Sequence, residues 1–384
     1  MRIIIICFII CSANSLSLQA GTLEAAFQNA KVDGYLRGGY QYHNLKNDKT
    51  HLDYAVGGKL HMETAAISGI SGGVSFYNSN SISNDDDSGL VTFRGSSDAS
   101  YSILGEAYLK ANFGNTMIKI GRQEIETPFA QLDDIGMIPN TFEAAILVNK
   151  DIKDTTIFVG NIQKMAGVDA KVVDKFTKIN DNKNMQAIGI HYEGIKDISL
   201  SGWYYRLKDA EIDNIAYFEA DYEGTSNGFG YGFGVQYAQQ TYNVGKTANI
   251  FGTTVSATLE NVGLTLAAAY TRVKGNAATS GFGGGPFFTN SEYLIIDNAG
   301  VDGKATWYGA EWNADLIGAK GLSVGLGQFS IEAETGNKST EKDFIASYEI
   351  GDNMEIHMVY SDIDGSNVGE DNVKHLRIFA NYHF

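Results

Sequence analysis

The sequence predicts an all-β fold, a transmembrane antiparallel β-barrel of about 18 strands. Three observations carry that expectation. Segments of about ten residues alternate apolar and polar side chains, the length a tilted strand needs to cross a bilayer. The connections between them alternate between long and short. The composition is rich in Gly (44), Tyr (21) and Phe (20) and holds only 3 Pro, which suits many strands with tight turns and aromatic girdles.

The last segment shows the period most plainly. Leu376, Ile378, Ala380, Tyr382 and Phe384 share one face, and Arg377, Phe379, Asn381 and His383 share the other. In 32–42, Val32, Leu36, Tyr40 and Tyr42 oppose Asp33, Arg37 and Gln41. In 52–62, Leu52, Tyr54, Val56, Leu60 and Met62 oppose Asp53, Lys59 and His61. In 344–350, Phe344, Ala346, Tyr348 and Ile350 oppose Ser347 and Glu349; in 354–361, Met354, Ile356, Met358 and Tyr360 oppose Glu355, His357 and Ser361. A helix would interleave these residues around its surface. Further strands are expected near 69–77, 101–112, 115–122, 141–149, 154–162, 184–193, 197–206, 211–222, 228–239, 247–259, 262–273, 305–315 and 322–332.

Long joints fall at 44–50, 78–100, 123–140, 163–183 and 274–304, and tight ones at 113–115, 149–154, 193–197, 260–262 and 351–353. A barrel with both ends on one side of the membrane sorts its connections this way. About 18 strands enclose an aqueous lumen, whereas eight would be filled by side chains. Such a barrel is expected to have no buried core: its apolar side chains meet lipid and its polar ones meet water. No repeat of fixed period and no linker divides the chain, so residues 21–384 are expected to be one barrel domain.

The first twenty residues read as an export address. Arg2 precedes an unbroken apolar stretch over 3–11, too short to span a bilayer, and the chain then turns polar. A secretory signal peptide over 1–20, cleaved after Ala20, is expected. Both cysteines, Cys7 and Cys11, would leave with it, so no disulfide is implied. The net charge of −16 and the lack of a basic cluster argue against nucleic acid as a partner. The seven histidines, His43, His51, His61, His191, His357, His375 and His383, show no metal-ligand spacing along the chain and no hydrolase motif. No cofactor is implied. The acidic runs at 84–87 and at Asp362, Asp364, Ser366, Asn367, Glu370 and Asp371 read as solvated loops, with Asp362 and Asp364 the weak candidates for a cation. The run from Gly281 to Pro286 lacks a phosphate-loop lysine and reads as part of a long flexible loop.

Residues 22–37, TLEAAFQNAKVDGYLR, and residues 121–142, GRQEIETPFAQLDDIGMIPNTF, resemble the OprD-type outer-membrane porins, and the terminal RIFANYHF fits as well. The 121–142 stretch is the more specific; the C-terminal aromatic belongs to outer-membrane barrels generally. The resemblance implies an 18-stranded barrel in the bacterial outer membrane, a third loop near 123–140 folded into the lumen, and basic wall residues facing acidic loop groups. It also implies passive diffusion of small hydrophilic solutes, amino acids and other carboxylate-bearing nutrients among them. This acidic chain is short of arginine, so a complete basic row is not expected.

On that reading Glu124, Glu126, Asp133 and Asp134 supply the acidic loop, and Pro128 and Pro139 hold it away from strand pairing. The alternation puts Arg37, Lys59, Lys110 and Arg377 on the polar face of the wall; Lys119 joins them if Ile118 and Ile120 meet lipid, and Arg122 stands at the strand end. Tyr35, Tyr108 and Trp307 are candidates for either the lumen or the aromatic girdle. The acid excess suggests a weak cation preference. The expected partners are outer-membrane lipid and small solutes, with a homotrimer and a monomer both open. The alternatives to a channel are an adhesin or a barrel enzyme acting through surface loops.

Overall fold

The computed structural model describes residues 21–45, 50–82, 93–97, 99–179, 184–207, 211–365, 367 and 372–384. The expected signal peptide lies outside them, as do the acidic run at 84–87 and Ser366, Glu370 and Asp371. A short helix, α1 (Leu23–Gln28), leads into β1 (Lys31–Leu45), β2 (Thr50–Glu63), β3 (Ile70–Ser81), β4 (Tyr101–Phe113), β5 (Thr116–Gln123) and β6 (Thr141–Asn149). Then come β7 (Thr155–Ala166), the two-residue β8 (Thr177–Lys178), β9 (Met185–Ile195), β10 (Ile198–Arg206), β11 (Ile212–Ser226), β12 (Phe229–Tyr242) and β13 (Ala248–Leu259). The last six are β14 (Leu264–Gly275), β15 (Lys304–Asn313), β16 (Leu322–Glu332), β17 (Lys338–Ile350), β18 (Met354–Asp364) and β19 (Val373–His383).

Each long strand pairs antiparallel with its neighbours, and β1 pairs with both β2 and β19. The register from Tyr35↔His383 to Leu45↔Val373 closes the sheet on itself. Gly34 and Phe384 exchange two further backbone bonds of 3.1 Å. β8 touches only the end of β7, at Lys164 and Met165, so 18 of the 19 strands form the wall. All 18 expected segments are present, displaced by a few residues at their ends. α1 was not anticipated: six residues are too few to show a helical period. Thr22 Oγ1 accepts from Ala25 N at 3.2 Å, and Ala26 packs on Ala65 beside the first turn.

One face of the wall is apolar and exposed. Leu36, Val56, Leu60, Phe76, Leu109, Ile120, Phe218, Phe251 and Leu326 stand outward along successive strands. Asn227 and Gly228, both at positive φ, make the two-residue turn between β11 and β12 that matches strand twist.

The inside overturns one expectation. A barrel of this size was expected to hold water and no core, yet its lumen contains one. Phe129 is fully buried and stands edge-on to Tyr205, Tyr217 and Phe287, with centroids 5.5, 5.7 and 5.9 Å away. Phe142, Met185, Ile215 and Ile250 complete the wall side of the same cluster. The physical reason is that several strands, such as β6 with its run of Ala144 to Val148, are apolar on both faces. Their inward side chains give two long loops, 124–140 and 276–303, a surface to pack on. The glycine-rich run is part of that packing and is not a free loop. A Cβ on Gly281 would lie 2.8 Å from the carbonyl of Phe129, and one on Gly283 would lie 2.6 Å from that of Gln131.

Placing a cation on the outward face at mid-strand should cost about 2–4 kcal/mol. Leu326→Arg, near the centre of β16, is expected to lower stability by that amount in denaturant titrations of protein folded into lipid vesicles. An unchanged midpoint would mean that this face does not meet hydrocarbon.

Candidate functional site

The third loop, 124–140, leaves the end of β5 and crosses the lumen. Two of its carboxylates meet cations that project inward from β1 and β2. Arg37 projects inward from β1, 4% exposed, and donates to both carboxylate oxygens of Asp134 at 2.6 and 2.8 Å. The same guanidinium donates to Gly136 O at 2.6 Å and to Asn381 Oδ1, on the paired strand β19, at 2.8 Å. A fixed planar fork suits this bidentate contact. The Arg37 side chain also lies over the rings of Tyr35 and Phe379, at 4.6 and 5.0 Å.

A second attachment forms one strand away. Lys59 Nζ on β2 reaches Glu124 at 2.7 Å and Glu106 at 3.2 Å, and Tyr77 donates to Glu124 at 2.7 Å. Glu106 also accepts from Ser75 at 2.6 Å and faces Lys119 at 3.5 Å. Lys119 stands 3.7 Å from the ring centre of Tyr108. Lys110 pairs with Glu63, which also accepts from Tyr108 at 2.7 Å. Arg377, on β19, pairs with Glu292 of the loop 276–303 at 2.8 Å.

Five of the six candidate basic residues, Arg37, Lys59, Lys110, Lys119 and Arg377, therefore face inward, and each has a carboxylate partner. Arg122 departs from this group. Its neighbour Gln123 is fully buried, so alternation puts Arg122 on the other face. There it donates to Leu104 O at 3.1 Å and lies 4.4 Å from the Phe176 ring; Glu143 is 3.8 Å away and shared with Lys164. The acidic four divide as well. Asp134 and Glu124 meet the wall. Glu126 accepts from Leu132 N at 3.1 Å within its own loop, and Asp133, at φ +39°, faces the neighbouring loop. Tyr35, Tyr108 and Trp307 lie on the lumen side, each less than a tenth exposed. Asp362 and Asp364 are exposed at the C-terminal end of β18, and no three His, Cys, Asp or Glu side chains among the described residues are gathered for a metal.

The loop 276–303 is the main element that sequence reasoning missed. Phe282 exchanges backbone bonds of 3.0 Å with Phe129 and Gln131, joining this loop to the third. Glu341 on β17 accepts from Tyr293 N at 3.0 Å and Leu294 N at 2.6 Å, and Asp343 accepts from Ser291 at 2.6 Å. Between the two loops and the wall lies a cavity of about 300 Å³. Its lining includes Asp133, Asp169, Glu292, Asp297 and Asp343, beside Trp307 and Tyr293, and among the described residues contains no Lys or Arg. Glu106 was missed for another reason. A register shift between Ser75 and Phe76 breaks the alternation on β4, so Ile103 and Glu106 both face inward.

A family model described as outer membrane porin, OprD family, matches residues 73–361. The chain belongs to the OprD family of outer-membrane porins. Solved structures agree on the fold. The OccK9 (OpdG) structure from Pseudomonas aeruginosa superposes with a TM-score of 0.79 at 16% identity, covering 94% of this chain and 99% of that one. A BenF-like porin from Pseudomonas fluorescens Pf-5 gives 0.80 at 16% identity, over 94% and 100%. OccAB1 from Acinetobacter baumannii gives 0.79 at 15%, over 96% and 99%. No curated protein matches the sequence. The OprD-family assignment confirms the resemblance read from 121–142, and with it an outer-membrane channel for small solutes.

One carboxyl in the second inward loop is tuned by its surroundings. Asp297 is half-buried and largely desolvated, which raises its pKa from 3.8 to about 6, although it accepts from Ser280 N at 2.7 Å and Ser280 Oγ at 2.9 Å. Folding here favours the protonated acid, because the folded state binds a proton between about pH 4 and 6 that the unfolded state has released. Its contribution to loop docking is therefore greatest below pH 4 and is lost as pH rises through 6. Amide protection of the Ile296–Ala299 segment, corrected for intrinsic exchange, should fall over that window in the native protein and stay level in Asp297→Asn.

Proposed function

We propose that this porin passes small hydrophilic solutes by downhill diffusion, with a weak preference for cations and for zwitterions such as amino acids. The observation that carries the reading is the charge pattern of the constriction. Every inward cation named above is matched by a carboxylate, while among the described residues the cavity between the loops is lined by five carboxylates, Glu292 of the Arg377 pair among them, and by no Lys or Arg. Water confined there screens weakly, so these groups attract a passing ammonium and leave no uncompensated row of cations for a simple anion. A zwitterion meets both signs within the same passage: the paired Arg37 and Lys59 for its carboxylate, and the acidic lining for its amine. Other carboxylate-bearing nutrients fit less well on this account unless they also carry a positive charge. The short turns and both chain ends would face the periplasm, with the inward loops entering from outside.

Reversal potentials of single channels across a salt gradient in planar bilayers test the reading. Cations should be favoured. The double variant Asp133→Asn/Asp134→Asn removes two negative charges and frees Arg37 from its partner, so its permeability ratio should move toward anions. A unit charge about 4 Å away in water is worth about 1 kcal/mol, which corresponds to a severalfold change. Anion selectivity in the native channel, or an unchanged ratio in the variant, would overturn the assignment.

A further inference from the structure

The barrel brings together histidines that the sequence keeps far apart. His43 on β1 has His375 on β19 as its cross-strand partner on one side and His51 on β2 on the other. All three share the inward parity of Arg37 and Asp53 and lie toward the loop end of their strands. The His43 and His375 rings are 4.3 Å apart at 77°. Their Nε2 atoms converge on one point, the side-chain amide nitrogen of Gln41, at 3.2 and 3.3 Å. That nitrogen carries two protons, one for each ring, so both imidazoles aim a lone pair at the same place. His375 is 4% exposed, and its Nδ1 has no hydrogen-bond partner among the described residues. The fold therefore buries an imidazole without using its full polar capacity, which natural interiors seldom do.

We infer that His43 and His375 form the core of a binding site for a borderline divalent transition-metal cation at the loop end of the lumen. Imidazole nitrogen suits Zn²⁺, Cu²⁺ and Ni²⁺, and a zinc ion bonds such nitrogens at about 2.0–2.1 Å. Two lone pairs that already meet at a common point about 3.2 Å away need only small side-chain rotations to reach that distance. Gln41 is the displaceable placeholder: with its amide turned over, it presents an oxygen as a third donor. Water fills the remaining positions. The charges beside the site are already neutralised. Arg377, across from Gln41, is held by Glu292 at 2.8 Å, and Asp53, on Gln41's other side, is held by Arg94 at 2.8 Å. Selection is then by ligand softness and not by bulk field, which separates this site from the acidic cavity between the loops.

Calorimetric titration of the full chain in detergent micelles with Zn²⁺ tests this. The native protein should bind one Zn²⁺ that a large excess of Mg²⁺ does not displace, because Mg²⁺ favours oxygen ligands. His375→Gln alone should weaken binding at least about tenfold, and His43→Gln/His375→Gln should abolish it. The strand signature in circular dichroism verifies that each variant is still a barrel; if the double variant does not fold, the single variant decides. Native-like Zn²⁺ affinity in a folded variant, displacement by Mg²⁺, or no binding by the native protein would overturn the assignment. No current is measured, so failure here leaves the channel reading untouched, and a channel that failed to conduct would leave this one intact.

Discussion

In hydrocarbon every backbone N–H and C=O must find a partner within the protein, and the whole structure depends on β1 finding its second partner on β19. Without that seam, both edge strands would present unpaired backbone groups to lipid, each costing several kcal/mol. Closure also fixes the register of every strand between them. Because side chains alternate, register decides which residues meet lipid and which meet the lumen. The positions of Arg37, Lys59, Lys119 and Arg377 all follow from it.

Inside the cylinder a different interaction takes over. The inward loops could not cover the lumen if they were merely long and polar. They are held by an aromatic core at one side, centred on Phe129, and by ion pairs to the opposite wall at Asp134 and Glu124. Removing the carboxylate from such a pair costs more than the pair's net worth, since it strands a wall cation such as Arg37 that is itself buried. The wall cations therefore anchor loops as well as line a passage. Gly39 shows how closely the loops approach: a Cβ there would fall 2.7 Å from Met137 and 2.9 Å from Phe93.

The wall was legible because lipid and water impose a two-residue period that no other common environment imposes on so many successive segments. Arg37, Lys59 and Arg377 fell on the correct face from alternation alone. The inward direction of the third loop and its facing of a basic wall came from resemblance, and the individual pairs could not be read. Pairing of Arg37 with Asp134, or of Arg377 with Glu292, joins positions that only barrel closure and loop docking bring together. Glu106 was hidden by the register shift on β4, Arg122 by its place at the end of β5, where the sequence left its facing undecided, and the second inward loop by glycines that read as freedom but serve close packing. The histidine pair was invisible for the same topological reason: residues 43 and 375 meet only across the seam.

Cysteine cross-linking across that seam tests the central claim most directly. Gly38 and Ala380 are direct partners in the β1–β19 register, so their Cα atoms should lie within disulfide range. The variant Gly38→Cys/Ala380→Cys, with Cys7 and Cys11 the chain's other cysteines, should form an intramolecular disulfide on mild oxidation of the membrane-inserted protein, while Gly38→Cys/Ile378→Cys should form little. A folded protein that failed to cross-link 38 to 380, or that linked 38 to 378 instead, would contradict the closure and every inward assignment that depends on it.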